Sequence, residues 1–234
     1  MRQLIIDTET TGLDPKSGHR IIEFAALEMV DRRPTGRSLH LYFDPEREID
    51  FGATEVHGKT WEDLKGRPRF RDHAGEILDF LRGAEWIIHN APFDVAFIDY
   101  EFDLLQHPRC ASVYSGVIDT LALARETFPG KRNNLDALCE RFGVSNAHRT
   151  LHGALLDAQL LAEVYLAMTR GQESLTIDMG ESSGLSSLAV TTFAEGRPAL
   201  VVLLPSADEI AAHEAYLEAL DRDSKGRCLW RAAA

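Results

Sequence analysis

The chain of 234 residues is poor in several features that commonly disclose a protein's class. It has only three cysteines, Cys110, Cys139 and Cys228, widely scattered and in no metal-ligand spacing. That favours a reducing cytosol over a disulfide framework and offers no cysteine-ligated metal site. No apolar run nears the ~20 residues that a membrane-spanning helix needs; Ala199–Leu204 is typical of the longest. Asp7 interrupts the apolar stretch Leu4–Ile6, so the start of the chain does not read as a signal peptide. Glycine-rich nucleotide loops are missing: Gly12 stands alone. Positive charge is scarce as well. The 25 Lys and Arg face 37 Asp and Glu, a formal net charge of −12. Phosphate-binding proteins are usually basic, so this balance argues at first against a nucleic-acid partner.

What remains is the composition of a soluble globular protein, 44% hydrophobic and 26% charged. Residues 1–171 read as α/β. Leu4–Ile6, Ile21–Val30 and Ser38–Phe43 are strand candidates arranged as an antiparallel meander. Helices then alternate with strands: 72–82, strand 86–89, helix 93–105, strand 116–119, and helices at 121–128, 135–142 and 153–168. The expectation is a mixed sheet flanked by helices. Residues 172–205 are rich in Gly and Ser and read as a linker. Residues 206–234 open with Ser206 and Glu209 in capping-box spacing and continue as a helical tail.

Three short segments can carry chemistry. Asp7 and Glu9 lie two apart on a strand, so both carboxylates share a face and repel unless a cation sits between them. Asn90-Ala91-Pro92-Phe93-Asp94 joins a strand to a helix; Asn90 suits a cap, and Asp94 can equally well answer the helix dipole. His152 and Asp157 are five apart, a spacing that shares no helix face, so His152 belongs on the coil before the helix. Asp157 then sits among leucines, a costly place for a carboxylate without a partner. Four carboxylates and one histidine form a hard, oxygen-rich set that suits Mg²⁺ or Mn²⁺ better than Zn²⁺. A pair of such ions suits phosphodiester hydrolysis, and a nearby histidine can take a proton from water.

In order and separation, Asp7-Thr-Glu-Thr-Thr-Gly12, Asn90-Ala-Pro-Phe-Asp94 and His152-Gly-Ala-Leu-Leu-Asp157 resemble the three motifs of the DEDDh exonuclease superfamily. Glu55-Val-His-Gly58 and the tail 208–232 are similar to segments of its epsilon branch, the proofreading subunits of bacterial DNA polymerase III. The resemblance spans nearly the whole chain. It implies an RNase H-like fold with a mixed five-stranded sheet, a flexible linker and a helical C-terminal tail. It implies that Asp7, Glu9, Asp94 and Asp157 hold two Mg²⁺ or Mn²⁺ ions and that His152 is the general base. It implies stepwise hydrolysis of single-stranded or mismatched DNA from the 3′ end to nucleoside 5′-monophosphates, in a cytoplasmic, nucleoid-associated setting. Thr10, Leu13, His57 and Phe93 are the candidates for holding the terminal nucleotides, by wedging or stacking; core packing is the plain alternative for Phe93.

The same resemblance implies partners: the polymerase III alpha subunit through Ile210, Leu217 and Trp230, and a sliding clamp through Gln172, Leu175 and Ile177. The clamp segment matches only loosely, and a plain linker explains it nearly as well. A small accessory subunit is a further implied partner. Two other readings compete, an RNA-trimming enzyme of the same superfamily and a subunit whose main task is to join polymerase to clamp. The net charge can now be split, −7 over residues 1–171 and −5 over 172–234. Two divalent ions offset part of it. The rest suggests an enzyme that leans on a basic partner for DNA affinity.

Overall fold

The computed structural model describes residues 1–147, 149, 151–170, 205–224 and 230. The clamp candidates Gln172, Leu175 and Ile177 lie outside them, as does nearly all of the linker. The chain divides into two compact units, Met1–Ile177 and Asp178–Ala234.

The first unit is built on a five-stranded sheet in the order β3-β2-β1-β4-β5. Strands β1 (Arg2–Thr10), β2 (Ile21–Val30) and β3 (Arg33–Tyr42) run antiparallel as the expected meander. Strands β4 (Glu85–Ile88) and β5 (Gly116–Asp119) are added in parallel on the other side of β1. Helices α1 (Phe51–His57), α2 (Trp61–Leu64), α3 (Phe70–Leu81), α4 (Ala91–Leu104), α5 (Thr120–Thr127), α6 (Leu135–Phe142) and α7 (Ala154–Met168) complete the unit. In the second unit, α8 (Ala207–Asp223) starts at a capping box formed by Ser206 and Glu209, and none of its residues is buried.

Strand alternation sorts β1 onto two cores. Leu4 and Ile6 pack with Phe97, Ile98 and Phe102 of α4 and with Ile77 and Leu81 of α3. Ile5 packs on the opposite face with Leu138 of α6 and Leu160, Leu161 and Val164 of α7. By the same alternation Thr8 faces the α4 side, while Asp7 and Glu9 face the α7 side. The end of β1 therefore delivers polar groups to both layers. A register shift between Glu9 and Thr10 marks a bulge there, a device that re-aims side chains beside active sites.

β1 runs on to Thr10, and Asp7 and Glu9 lie within the strand as their shared face requires. Other local expectations need correcting. β3 starts at Arg33, well before Ser38, and its first half is exposed; a polar strand facing water leaves no apolar alternation to read. α1 and α2 are additional to the expected helices, being too short and polar to show helical periodicity. Asn90 also departs from a capping role. It takes a left-handed conformation (φ 72°) and its side chain makes no cap bond. Asparagine tolerates this region better than most residues, and the turn is held by Asp119 Oδ1, which accepts from the Asn90 N–H at 3.1 Å.

Candidate active site

At the carboxyl end of β1, Glu9, Asp94 and Asp157 are buried and Asp7 is partly open. Ligand atoms of Glu9, His152 and Asp157 lie within 4.8 Å of one another. Asp7 and Asp94 join them electrostatically. Loss of hydration raises the Asp7 carboxyl well above its usual range, and the charges of Asp94, Glu9 and Asp157 push it further. Burial, reinforced by Asp157, lifts Glu9 to about 8. Burial lifts Asp94 to about 7 against the hydrogen bond it receives from Thr8. Like charges held together without water favour protonation. A divalent cation relieves the same strain, and four carboxylates are a suitable hard donor set for one.

Each ligand candidate is positioned by its own element. Thr8 Oγ1 donates to Asp94 Oδ1 at 2.7 Å, tying the first turn of α4 to β1. Asp157 lies in the first turn of α7, whose helix begins after Gly153. Burial works against ionisation there, but hydrogen bonds from Arg149 and His152 outweigh it and hold Asp157 below the ordinary carboxylate range. Arg149 is the residue that motif spacing did not reveal. Its Nε and Nη2 donate to both Asp157 oxygens at 2.6 Å, its Nη1 donates to Asp136 Oδ1 at 2.7 Å, and Nη2 also reaches His152 Nδ1 at 2.9 Å. The one available signal was indirect: a carboxylate among leucines calls for a cation. A metal answers that need, and so does an arginine eight residues away.

His152 occupies coil before α7, as its spacing requires, and its side chain is 44% exposed. Its backbone N–H donates to the Val56 carbonyl at 3.0 Å, so the coil is anchored on α1. His152 Nδ1 sits between Arg149 Nη2 at 2.9 Å and Asp157 Oδ2 at 3.2 Å.

Beside the carboxylates opens a cavity of about 420 Å³. Glu9 contributes to its wall, and so do all four of Thr10, Leu13, His57 and Phe93. They contribute differently. Thr10 Oγ1 donates to the Gly12 carbonyl at 2.6 Å, which leaves its oxygen free only to accept. His57 has both ring nitrogens engaged: Nδ1 accepts from the Lys59 N–H at 3.1 Å, and Nε2 donates to the Thr10 carbonyl at 3.3 Å. Burial, aided by Lys59, lowers its pKa, so the ring is neutral and serves as a wall. Leu13 is 85% exposed. Phe93 is half-buried with its ring 5.0 Å from that of Phe97, so it packs on the core and faces the cavity at once. Gly12 is required here, because a Cβ would lie 2.3 Å from the His19 ring.

In the tail, Ile210 is 50% and Trp230 78% exposed, whereas Leu217 is half-buried. Among the described residues no helix is long and apolar enough to cross a membrane.

Known proteins resemble the chain at two levels. The Exonuclease family matches residues 4–165. DNA polymerase III subunit epsilon of Salmonella typhimurium strain LT2 is 49% identical over 239 aligned residues, covering 99% of this chain and 98% of that protein. Subunit epsilon of Escherichia coli K12 is 48% identical with the same coverage, and that of Rickettsia felis is 44% identical over 94% of this chain and 97% of its own. Among solved structures, Exonuclease X in complex with 5′-overhanging duplex DNA superposes with a TM-score of 0.54 at 24% identity, covering 72% of this chain and 91% of that one. Exonuclease I superposes with a TM-score of 0.64 at 17% identity, over 72% of this chain and 41% of that one. These two likenesses speak to the fold. With an exonuclease match over most of its length and near-complete alignment to the polymerase subunits, the chain belongs to the exonuclease family, in its DNA polymerase III subunit epsilon branch.

Proposed function

We propose that this chain is a 3′–5′ exonuclease that hydrolyses single-stranded or mismatched DNA 3′ ends to nucleoside 5′-monophosphates, as the proofreading subunit of a replicative DNA polymerase. The observation that carries the reading is the convergence of Asp7, Glu9, Asp94 and Asp157 with His152, beside a cavity sized for a nucleotide. Asp7, Glu9, Asp94 and Asp157 are the residues to hold two divalent ions, Mg²⁺ or Mn²⁺. Such ions, when bound, stabilise charge on the attacking and leaving oxygens of a phosphodiester.

The chain's own residues do the rest. Phe93 and Leu13 offer apolar surface to the terminal base, a contact that tolerates any sequence. His57, neutral and fully bonded, gives the cavity a rigid wall. His152 takes the proton from the attacking water. Its side chain is 44% exposed on coil, open to solvent water, and its Nδ1 lies 3.2 Å from Asp157 Oδ2. Mismatched ends cost less to unpair than matched ones, so strand melting supplies selectivity without base reading.

The tail, with Ile210, Leu217 and Trp230, is proposed to bind the polymerase alpha subunit. Gln172, Leu175 and Ile177 are proposed to reach a sliding clamp. Weak individual contacts of this kind gain strength from tethering.

The direct test uses a 5′-labelled oligonucleotide with Mn²⁺ or Mg²⁺. The expected products are a ladder shortening from the 3′ end and free nucleoside 5′-monophosphates. A double variant, Asp7→Ala with Glu9→Ala, is expected to stay folded and release none. Full activity in that variant sinks the assignment of the site, and faster trimming of a matched RNA would favour the RNA-processing reading.

A further inference from the structure

A second cavity of about 420 Å³ lies outside the carboxylate site, and its walls carry cations but no acid. His89, Leu121, Arg125, Lys131 and Asn133 line it. Its position follows from the sheet. β1, β4 and β5 are mutually parallel, so their carboxyl ends share one edge. Asp7 and Glu9 occupy that edge on β1, His89 directly follows β4, and Leu121 lies just beyond β5. Clefts outside the carboxyl ends of parallel strands are common ligand sites. His89 also adjoins the Asn90 turn that leads into Asp94, and its ring is held by a 3.0 Å contact between Nδ1 and Thr120 Oγ1.

The cations of this cavity are not consumed by the fold. Arg125 and Lys131 are exposed, and neither forms an ion pair among the described residues. The loop that carries Lys131 is nonetheless well built. Arg141 donates to Asn133 Oδ1 at 3.0 Å and to the Arg132 carbonyl at 2.8 Å, and it stacks over Phe128 with its guanidinium carbon 4.5 Å from the ring centroid. Asn133 Nδ2 in turn donates to the Phe128 carbonyl at 3.2 Å. In a chain of net charge −12, the segment 125–149 carries five bases against three acids. Helix α5, with Arg125, and the fixed loop after it, with Lys131, thus present unpaired cations at the same sheet edge as the candidate catalytic carboxylates.

We infer that this cavity is a backbone subsite of the exonuclease, with Arg125 and Lys131 binding phosphodiester oxygens of the strand 5′ to the bond being cut. The inference rests on the exonuclease reading. A strand degraded from its 3′ end places its terminal nucleotide in the cavity beside Phe93 and His57. All further phosphates then lie to the 5′ side and need counter-charge. Neutralising phosphates with Lys and Arg is the general source of sequence-independent affinity for nucleic acid. Leu121 and the His89 ring give the same cavity a surface for sugar or base faces.

The test compares two substrates on the full chain with Mn²⁺. One is a single-stranded oligonucleotide. The other is the p-nitrophenyl ester of thymidine 5′-monophosphate, which has a scissile phosphodiester and no second phosphate. In the double variant Arg125→Ala with Lys131→Ala, the oligonucleotide-to-ester ratio of kcat/KM is expected to fall about tenfold. The slope of log(kcat/KM) against log[salt] for the oligonucleotide is expected to become shallower by about 1.4, at roughly 0.7 per phosphate contact on a single strand. The ratio cancels any general loss of activity in the variant. An unchanged ratio and slope overturn the subsite while leaving the exonuclease reading in place. If the unmodified chain hydrolyses neither substrate, the exonuclease reading fails and the subsite with it.

Discussion

Glu9 and Asp157 are neighbours, with oxygens within 4.8 Å, yet they hold protons in opposite ways. Glu9 has burial and a nearby carboxylate against it and rises to about 8. Asp157 has the two-pronged Arg149 contact and stays ionised. One side chain thus divides the cluster into an anion that is always ready and acids that a cation must deprotonate. The pair is almost wholly buried, each side chain 5% exposed. Arg149→Gln therefore leaves a buried carboxylate unpaired, and a stability loss of about 3–5 kcal/mol is expected in urea unfolding. A loss under 1 kcal/mol would mean that Asp157 finds another partner. His152→Ala should lower kcat by about 10²–10⁴, the usual range for general acid–base groups, with DNA affinity within a factor of about two. Weakened DNA binding at an unchanged kcat would contradict the proposed base role.

At the scale of elements, the coil bearing His152 is located by α1. Gly58, just past that helix, has φ 72°, and a Cβ there would fall 2.4 Å from Leu151 Cδ1. Leu151 precedes His152, whose N–H is bonded to Val56. Gly58→Ala is expected to cost about 1–2 kcal/mol in backbone strain and to displace the coil, so kcat should drop more than KM changes. Gly75→Ala is a useful contrast. Gly75 lies in α3 with open space where its Cβ would go, so a gain of about 0.5–1 kcal/mol in stability is expected, with activity retained. A Gly58 variant that behaves like the Gly75 variant would remove α1 from the account of the site. Glu55–Gly58 stands out in the sequence only through its resemblance to a known segment. Its seven-residue helix buries only His57, which leaves no apolar pattern to detect.

On the scale of the whole molecule, the carboxylate cluster links stability, pH and metal. Glu9 and Asp94 have folded pKa values of about 8 and about 7, above the ordinary carboxylate range. Between about pH 4 and 8 the folded chain holds protons that the unfolded chain has released, so stability falls as pH rises through this window. The melting temperature of the metal-free protein should therefore drop between pH 6 and 8.5. Mn²⁺ should restore it, and by more at the higher pH, because binding expels those protons. A metal-free melting temperature that climbs over the same range would argue against the cluster as described. Removal of residues 206–234 should abolish binding to the polymerase subunit and leave exonuclease activity intact. Loss of both together would make the tail part of the catalytic fold. Four of the 37 acids are the proposed cation ligands, while Arg125 of α5 and Lys131 of the loop after it form no ion pair among the described residues.

The strands of the sheet, the long helices and the spacing of the carboxylates are legible along the chain, because each is written in local periodicity or spacing. Alternation marks the face shared by Asp7 and Glu9, and the five-residue gap puts His152 on coil and Asp157 on α7. How the cluster is managed depends on contacts between distant segments. Thr8 meets Asp94 because β1 sends alternate side chains to opposite layers. Arg149 meets Asp157, Asp136 and His152 because a coil folds back over two helix ends, and Arg125 and Lys131 come to the catalytic edge because β4 and β5 run parallel to β1. These contacts join residues with no common period or spacing, so no local pattern records them.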